Sequence, residues 1–266
     1  MQQSHSELPG RVVVDMTLES MTPLGNSYGL LALKADGPLP EVIAGQFAQV
    51  RIDRSKTTFL RRPISICTAN AAEGRIELLV RRAGAGTAAL LEAAPGDKIN
   101  LMLPLGRGFS VPAGDKSESL LLVGGGVGVA PMFALGLRLR SLGYQPEFLL
   151  GARTESDLLL LDRFREIGTV HITTDDGSAG VKGVVTAHPC LNRPVDRVYC
   201  CGPKPMMVAV AKAASRLGAT CEVSLENMMA CGLGACLCCV EKTVKGNVCV
   251  CTEGPVFNIN QLTWQD

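Results

Sequence analysis

The sequence predicts three successive units: an antiparallel β-barrel, a parallel-sheet α/β unit and a small cysteine-rich unit. Residues 10–110 contain short apolar segments separated by turn residues, which is typical of a small antiparallel barrel. From residue 120 onward, apolar strands alternate with helical segments, which indicates a parallel sheet covered by helices. Six of the eleven cysteines then lie within residues 231–251. We therefore expect unit boundaries at 1–114, 115–225 and 226–266.

The barrel prediction rests on short segments that are bounded by turn residues. The predicted strands are residues 11–21, 28–35, 46–52, 61–67, 75–82 and 98–105. Glycine, proline and asparagine occupy the connections, for example at Gly25-Asn26 and Gly37-Pro38. One helix is predicted between the last two strands, over residues 87–94, and Pro95 and Gly96 end it.

The α/β prediction begins at residues 120–123, an apolar run typical of a strand that is buried on both faces. A glycine-rich turn follows, and then a helix that begins at Pro131 and ends before Gly143. Later segments continue the alternation. The strands are predicted at 147–152, 169–174, 196–202 and 220–225, and the helices at 156–168 and 205–218.

Composition disfavours several classes of function. The chain has 26 basic and 25 acidic residues, so bulk charge would not attract nucleic acid or an acidic membrane. Aromatic residues make up 4%, too few for stacking on single-stranded nucleic acid. The N-terminal residues lack the pattern of a signal peptide, and no apolar run reaches the roughly 18 residues of a spanning helix. We expect a cytoplasmic protein with neither a nucleic-acid nor a membrane partner.

The clustered cysteines indicate a metal site. In a reducing compartment such a cluster binds metal more often than it forms disulfides. Cys231-x4-Cys236-x2-Cys239 has the first three-cysteine spacing of plant-type 2Fe–2S ferredoxins, and Cys249 or Cys251 is available as the fourth ligand. The alternative is a zinc site in which Cys236 and Cys239 pair with Cys249 and Cys251. Spacing favours iron–sulfur, because zinc ribbons usually carry two C-x2-C pairs.

Two further motifs suit phosphate groups. Residues 61–65 (RRPIS) place an arginine at a strand end, and residues 81–87 (RRAGAGT) offer the backbone N–H groups of a glycine-rich turn. Residues 120–131 (LLLVGGGVGVAP) run from a buried strand through glycines into a helix N-terminus, a general anion site. The glycine spacing there does not match G-x-G-x-x-G, because Val129 stands at the last position.

The order of these motifs resembles the ferredoxin reductase family, whose barrel holds a flavin and whose second domain holds a nicotinamide dinucleotide. The resemblance implies FAD and assigns the FAD diphosphate to Arg62, with the backbone of Pro63, Ile64 and Ser65 facing the isoalloxazine ring. Leu79, Val80 and Arg81 would flank the flavin, and Gly86 and Thr87 would bind phosphate. Plant-type members carry an aromatic residue where this chain has Ile64.

The same resemblance assigns the nicotinamide site. It implies that the turn residues Gly124, Gly125, Gly126 and Gly128 bind the dinucleotide. It also implies that Gly202 lies against the nicotinamide, with Ser65 and Cys201 at the place of hydride transfer. Asp175 and Asp176 stand where NADP-using relatives place Ser and Arg. Since a carboxylate repels a 2′-phosphate but accepts hydrogen bonds from a ribose diol, we expect NAD rather than NADP.

Residues 224–241 (SLENMMACGLGACLCCVE) and 250–257 (VCTEGPVF) narrow the resemblance. Together with the upstream motifs, they resemble the electron-transfer (K) subunits of the class 1B dihydroorotate dehydrogenases over nearly the whole chain. That match implies four cluster ligands, Cys231, Cys236, Cys239 and Cys251, and leaves Cys238 and Cys249 as extra thiols. It gives no general acid or base on this chain.

The resemblance also implies a function in pyrimidine biosynthesis. Electrons from an FMN-containing catalytic subunit would pass through a 2Fe–2S cluster and FAD to NAD, in a heterotetramer with two subunits of each kind. One alternative is the flavin and iron–sulfur subunit of another complex, of the hydrogenase, sulfide dehydrogenase or transhydrogenase type. A further alternative, of a different class, is a zinc-stabilised binding module without enzymatic activity.

Overall fold

The computed structural model describes residues 10–114 and 116–264. Its first part consists of β1 (Val12–Leu24), β2 (Tyr28–Lys34), β3 (Phe47–Val50), β4 (Arg62–Asn70), β5 (Arg75–Arg81), α1 (Ala85–Leu90) and β6 (Lys98–Leu105). Among the described residues, these six strands close into an antiparallel barrel in the order β1-β2-β5-β4-β3-β6. The predicted barrel is therefore confirmed.

Alternating residues of the strands fill the barrel. Met16, Leu31, Leu78 and Leu101 are fully buried, as the two-residue period of a strand with one buried face requires. Burying one such side chain contributes about 1.5–3 kcal/mol, so this core is a main source of the barrel's stability. The outer face of β3 is also buried, because later parts of the chain pack against it.

The second part contains β7 (Leu120–Gly125), α2 (Val129–Ser141), β8 (Pro146–Ala152), α3 (Leu161–Ile167), β9 (Thr169–Thr174), β10 (Val181–Lys182), β11 (Arg197–Cys201), α4 (Lys204–Arg216) and β12 (Thr220–Ser224). The strands form a parallel sheet in the order β10-β9-β8-β7-β11-β12. Apolar residues line both faces of this sheet, which confirms the α/β prediction.

The last part contains β13 (Val240–Thr243), β14 (Gly246–Cys249), α5 (Val250–Glu253) and β15 (Val256–Asn258). β13 and β14 form a hairpin, whereas β15 pairs antiparallel with β12 and extends the large sheet. The buried residues Val256 and Phe257 anchor β15 there. Sequence analysis did not predict this strand, because a three-residue strand has too little periodicity to detect. β15, which belongs to the expected unit 226–266, thus lies in the sheet of the preceding unit.

Several element boundaries differ from the predictions. α2 begins at Val129 rather than at Pro131, so the proline lies within the first turn of the helix. Proline is tolerated there because the N–H groups of the first turn have no hydrogen-bond partner within the helix. The helix predicted over 156–168 is shorter, since Leu160 adopts a left-handed backbone (φ 56°) and α3 starts after it. α1 spans Ala85–Leu90 rather than 87–94. β6 and β9 have the predicted limits.

Polar contacts fix the sheet against the barrel. The buried hydroxyl of Tyr144 donates to the carbonyl of Pro112 (2.7 Å), and that of Tyr199 donates to Ser110 (3.1 Å), so both hold the segment that joins barrel and sheet. Arg163 on α3 forms an ion pair with Glu77 on β5 (2.8 Å). These contacts set the relative position of the two parts and so define the cleft between them.

In the described ranges, no helix has the length and apolarity to cross a membrane.

Candidate functional site

A cleft of about 290 Å³ lies where the barrel, the sheet and the cysteine-rich part meet. Its barrel side is formed by β3, β4, β5 and the start of α1, and its opposite side by the carboxyl ends of β11 and β12. In open α/β sheets, ligands bind beyond the carboxyl ends of the strands. The cleft is therefore the candidate functional site.

Part of the predicted site set lines this cleft. Its members there are Pro63, Ile64, Ser65, Leu79, Arg81, Thr87 and Cys201. Residues far apart in the sequence thus line one cleft, as a flavin beside a nicotinamide would require. Val80 differs from them, because its side chain is fully buried in the barrel core, which leaves only its backbone for a bound group.

Arg62 and Gly86 lie beside each other rather than in the wall of the cleft. A Cβ added at Gly86 would come within 2.9 Å of Arg62 Nε and 3.0 Å of Thr58 Cγ2. The guanidinium of Arg62 thus packs against the first turn of α1, and its Nη1 donates to the carbonyl of Leu60 (3.0 Å). The Thr87 hydroxyl accepts from the N–H of Ala83 (2.9 Å), which orders the same turn.

Cys201 and Glu226 face each other in the cleft, with Cys201 Sγ 4.0 Å from Glu226 Oε1. Burial, and then the nearby Glu226 carboxylate, raise the pKa of Cys201 well above its ordinary value, so this thiol stays protonated. Glu226 is accessible to solvent through the cleft, yet the surrounding protein desolvates its carboxyl. This desolvation raises the pKa of Glu226, and Arg81 acts in the opposite direction.

Sequence reasoning did not assign roles to several lining residues. They are Phe47, Ala83, Val127, Ser224, Leu225, Glu226, Asn227, Met229 and Pro255. Four of them form the motif SLEN, residues 224–227, which is part of the resemblance described above. Asn227 is held in place because its Nδ2 donates to Glu241 of β13 (3.0 Å). The segment after β12 therefore connects the cleft to the cysteine-rich part.

The glycine-rich turn after β7 packs directly on the end of β11. A Cβ at Gly128 would lie 2.3 Å from the carbonyl oxygen of Cys201 and 2.7 Å from the N of Gly202. A Cβ at Gly125 would lie 2.7 Å from Met206 Sδ. The glycines thus permit a close approach between the turn and the Cys201-Gly202 segment. Gly124 belongs to the same strand end, and a Cβ there would meet Val129.

Asp175 and Asp176 lie outside the cleft, on the exposed turn at the carboxyl end of β9. That end lies at the same edge of the parallel sheet as the glycine-rich turn after β7. Asp176 accepts from the N–H (2.9 Å) and hydroxyl (2.7 Å) of Ser178. The Ser178 hydroxyl and then its N–H lower the pKa of Asp176. Both carboxylates therefore lie on the rim that an extended dinucleotide would follow.

The four predicted cluster ligands form two pairs. The N–H of Cys236 donates to Cys231 Sγ (3.5 Å), and the N–H of Cys251 donates to Cys239 Sγ (3.4 Å). A 2Fe–2S cluster takes four thiolates distributed over two irons, so this pairing fits the group. Among the described residues, no group of three or more metal-ligating side chains is gathered around one point.

Cys249 and Cys251 differ in the polarity of their surroundings. The N–H of Gly234 donates to Cys251 Sγ (3.2 Å), as it would to a metal-bound thiolate. The thiol of Cys249 instead donates to the carbonyl oxygen of Gly234, at an Sγ···O distance of 3.7 Å. A thiolate beside a carbonyl oxygen would be repelled, so this contact suits a protonated thiol. Cys251 is also fully buried, whereas Cys249 is only partly buried.

The loop between Cys231 and Cys236 directs backbone N–H groups at sulfur. The N–H of Leu233 donates to Cys231 Sγ (3.3 Å), and this is the largest of the contacts that lower the pKa of Cys231 to about 6. Gly232 (φ +73°) allows the reversal of the chain. Cys238 is exposed and makes no hydrogen bond within the described part of the chain. The loop thus has the donors that a bound cluster uses.

Two family models match the chain. The model of the oxidoreductase FAD-binding domain matches residues 15–109, which include the barrel. The model of the iron–sulfur cluster binding domain of dihydroorotate dehydrogenase B matches residues 226–263, which include all six clustered cysteines. The matched ranges coincide with the barrel side of the cleft and with the cysteine loop.

Similar proteins cover most of the chain. The electron transfer subunit of dihydroorotate dehydrogenase B (NAD(+)) from Fusobacterium nucleatum is 34% identical over 252 residues, 92% of this chain and 96% of its own. The subunit of the same name from Shouchella clausii is 38% identical over 225 residues, 82% of this chain and 85% of its own.

Solved structures share the fold. An NADH-dependent reduced ferredoxin-NADP oxidoreductase aligns with a TM-score of 0.83 and 29% identity, over 94% of this chain and 90% of its own. Phthalate dioxygenase reductase aligns with a TM-score of 0.66 and 19% identity, over 90% of this chain and 94% of its own, which indicates the fold alone. The identities, the coverage and the two matched domains together show that the chain belongs to the family of dihydroorotate dehydrogenase B (NAD(+)) electron transfer subunits.

Proposed function

We propose that this chain transfers electrons between a catalytic subunit that oxidises dihydroorotate and NAD, by way of a 2Fe–2S cluster and FAD. The observation that carries the proposal is the shared boundary of two sites. Phe47 lines the cleft and pairs with Leu105 of β6, and a Cβ added at Gly232, next to Cys231, would lie 3.2 Å from Leu105 Cδ1. A flavin in the cleft and a metal cluster in the loop would therefore both border the β3–β6 strand pair.

The barrel side of the cleft suits FAD. When bound, FAD exchanges a hydride with a nicotinamide and single electrons with an iron–sulfur cluster. The backbone of Pro63, Ile64 and Ser65 would orient the ring, with Leu79 and Arg81 beside it. Arg62, fixed by Gly86 and the first turn of α1, would bind the diphosphate.

The sheet side of the cleft suits the nicotinamide nucleotide. Cys201 and Ser65 line the same cleft, and a protonated, uncharged thiol there would pack against a nicotinamide without reacting. The turn after β7 would bind the pyrophosphate. Asp175 and Asp176 would accept from the ribose diol and repel a 2′-phosphate, which supports NAD over NADP. Arg153 lies at the same edge and forms no ion pair with any described residue.

The relatives' name supports a partner that contains the dihydroorotate site. We propose an FMN-containing catalytic subunit, two copies of each chain, and a place in pyrimidine biosynthesis in the cytoplasm. Cys236 and Cys238 are exposed, so the cysteine loop is accessible to such a partner.

Co-expression with the candidate catalytic subunit tests this proposal. We expect a flavin-containing, iron-containing complex that reduces NAD⁺ in the presence of dihydroorotate, and much slower reduction of NADP⁺. The isolated chain should bind FAD and the cluster but show no activity with dihydroorotate. A colourless chain that contains zinc and no flavin would contradict the proposal.

One observation favours a second candidate. The solved oxidoreductase with a TM-score of 0.83 is NADH-dependent but is a ferredoxin-NADP oxidoreductase. The same architecture therefore serves another complex, and this chain would then pair with a different subunit. Purification of the native complex distinguishes the two candidates, because only the first contains an FMN subunit that oxidises dihydroorotate.

Replacing Gly86 by alanine should weaken FAD binding. The new Cβ would come within 2.9 Å of Arg62 Nε, so the guanidinium must move away from the first turn of α1. We expect the FAD dissociation constant to rise about tenfold, equivalent to about 1.4 kcal/mol. Fluorescence titration of the apoprotein with FAD measures this change.

Gly84→Ala is the matched control, two residues away in the same turn. Its Cβ would meet no atom within 4 Å, and its φ of 177° is an extended backbone that alanine adopts. The control should bind FAD as the wild type does. Equal affinities for the two variants would show that the Gly86–Arg62 contact is not part of the FAD site.

A further inference from the structure

Gln49 is a buried polar residue that the proposed function does not use. It lies in β3 and is fully buried. Neither Nε2 nor Oε1 of its side chain has a hydrogen-bond partner among the described residues. A buried amide without partners destabilises a protein, so such a group usually has a specific role.

The Gln49 side chain faces the cysteine loop. Because strand residues alternate, Ala48 and Val50 point into the barrel core, whereas Gln49 points outward. A Cβ added at Gly232 would lie 2.8 Å from Gln49 Cγ and 3.1 Å from its Nε2. Gly232 directly follows Cys231, one of the predicted ligands. The unpaired amide therefore lies against the loop that would hold the cluster.

The same strand borders the flavin cleft. In the β3–β4 ladder, Phe47 pairs with Ser65 and Gln49 pairs with Pro63. Phe47, Ser65 and Pro63 all line the cleft. β3 thus contacts both proposed redox sites, with Gln49 on the side of the cysteine loop.

We propose that Gln49 is a positioning residue for the cluster and donates a hydrogen bond from Nε2 to sulfur in its ligand shell, on the Cys231 side. This inference rests on the proposed cluster ligands. One-electron reduction adds negative charge to the cluster, and a donor to sulfur stabilises that charge. Gln49 therefore raises the reduction potential of the cluster and favours its acceptance of an electron from the partner.

The test is a potentiometric titration of the purified, cluster-loaded chain, followed by EPR of the reduced cluster. Gln49→Leu and Gln49→Met both remove the donor, and Met keeps the length of the side chain. Both variants should lower the midpoint potential of the cluster by up to about 59 mV. For a one-electron couple this shift corresponds to a tenfold change in the redox equilibrium constant. An unchanged potential in both variants would overturn the proposal.

Gln46→Leu is the matched control. Gln46 is also buried, but its Oε1 accepts from the N–H of Ile43 (2.8 Å) and its Nε2 donates to Gly106 (2.8 Å). Its loss should lower the melting temperature and leave the cluster potential unchanged, whereas Gln49→Leu should not destabilise the apoprotein. An equal shift of potential in both variants would indicate packing alone and overturn the proposal. A wild-type chain without cluster absorbance would overturn the proposed function itself, before any titration.

Discussion

Cys251→Ser should abolish the visible absorbance of the 2Fe–2S cluster, while Cys249→Ser should retain it. The N–H of Gly234 points at Cys251 Sγ, whereas the carbonyl of Gly234 faces Cys249. Hydrogen-bond donors stabilise a metal-bound thiolate, and a carbonyl oxygen does not. We expect iron and acid-labile sulfide near the wild-type amount in Cys249→Ser and near zero in Cys251→Ser, measured on anaerobically purified protein.

Cys238→Ser is a second control, because Cys238 is exposed and lies next to a predicted ligand. It should retain the cluster. Circular dichroism of all three variants checks that the barrel and sheet are folded. Retention of the cluster in Cys251→Ser together with its loss in Cys249→Ser would reverse the assignment of the fourth ligand.

Gly128→Ala should destabilise the α/β part and weaken nucleotide binding. The new Cβ would lie 2.3 Å from the carbonyl oxygen of Cys201, and backbone atoms cannot move aside as a flexible side chain can. The turn after β7 and the end of β11 must separate. We expect a loss of about 3 kcal/mol in the free energy of unfolding, at the upper end for overpacked sites. Urea unfolding measures it, and the dissociation constant for NADH should rise at least about tenfold.

Gly126→Ala provides the contrast within the same turn. Gly126 has φ +56° but open space around it, since no atom lies within 4 Å of an added Cβ. Alanine there has only the strain of a left-handed backbone, about 1 kcal/mol. Gly128 itself has an ordinary helical backbone (φ −61°). If Gly126→Ala proved as damaging as Gly128→Ala despite the open space around Gly126, the close contact with Cys201 would not account for the effect.

Much of the fold followed from local pattern. The limits of β6 and β9 were predicted correctly, because each is a short segment between turn residues, apolar in β6 and rich in β-branched residues in β9. Local pattern was less reliable where the backbone conformation interrupts an apolar run, as at Leu160 before α3. It missed β15 entirely, since three residues carry no period and only pairing with β12 makes them a strand.

The candidate site was predictable in part. Motif order led to Pro63, Ser65 and Cys201, which the fold brings to one cleft. No local signal indicated Phe47 or Glu226, because their roles depend on which strand ends meet after folding.

Residue types and their spacing along the chain were enough to predict the classes of the units, the cysteine motif and the chemistry that these motifs suit. Tertiary structure decided which thiol receives the N–H of Gly234 and which faces its carbonyl. It also decided that Gln49 lies against Gly232, more than 180 residues further along the chain. The direction of a donor and the neighbours of a buried amide arise only when separate parts of the chain pack together.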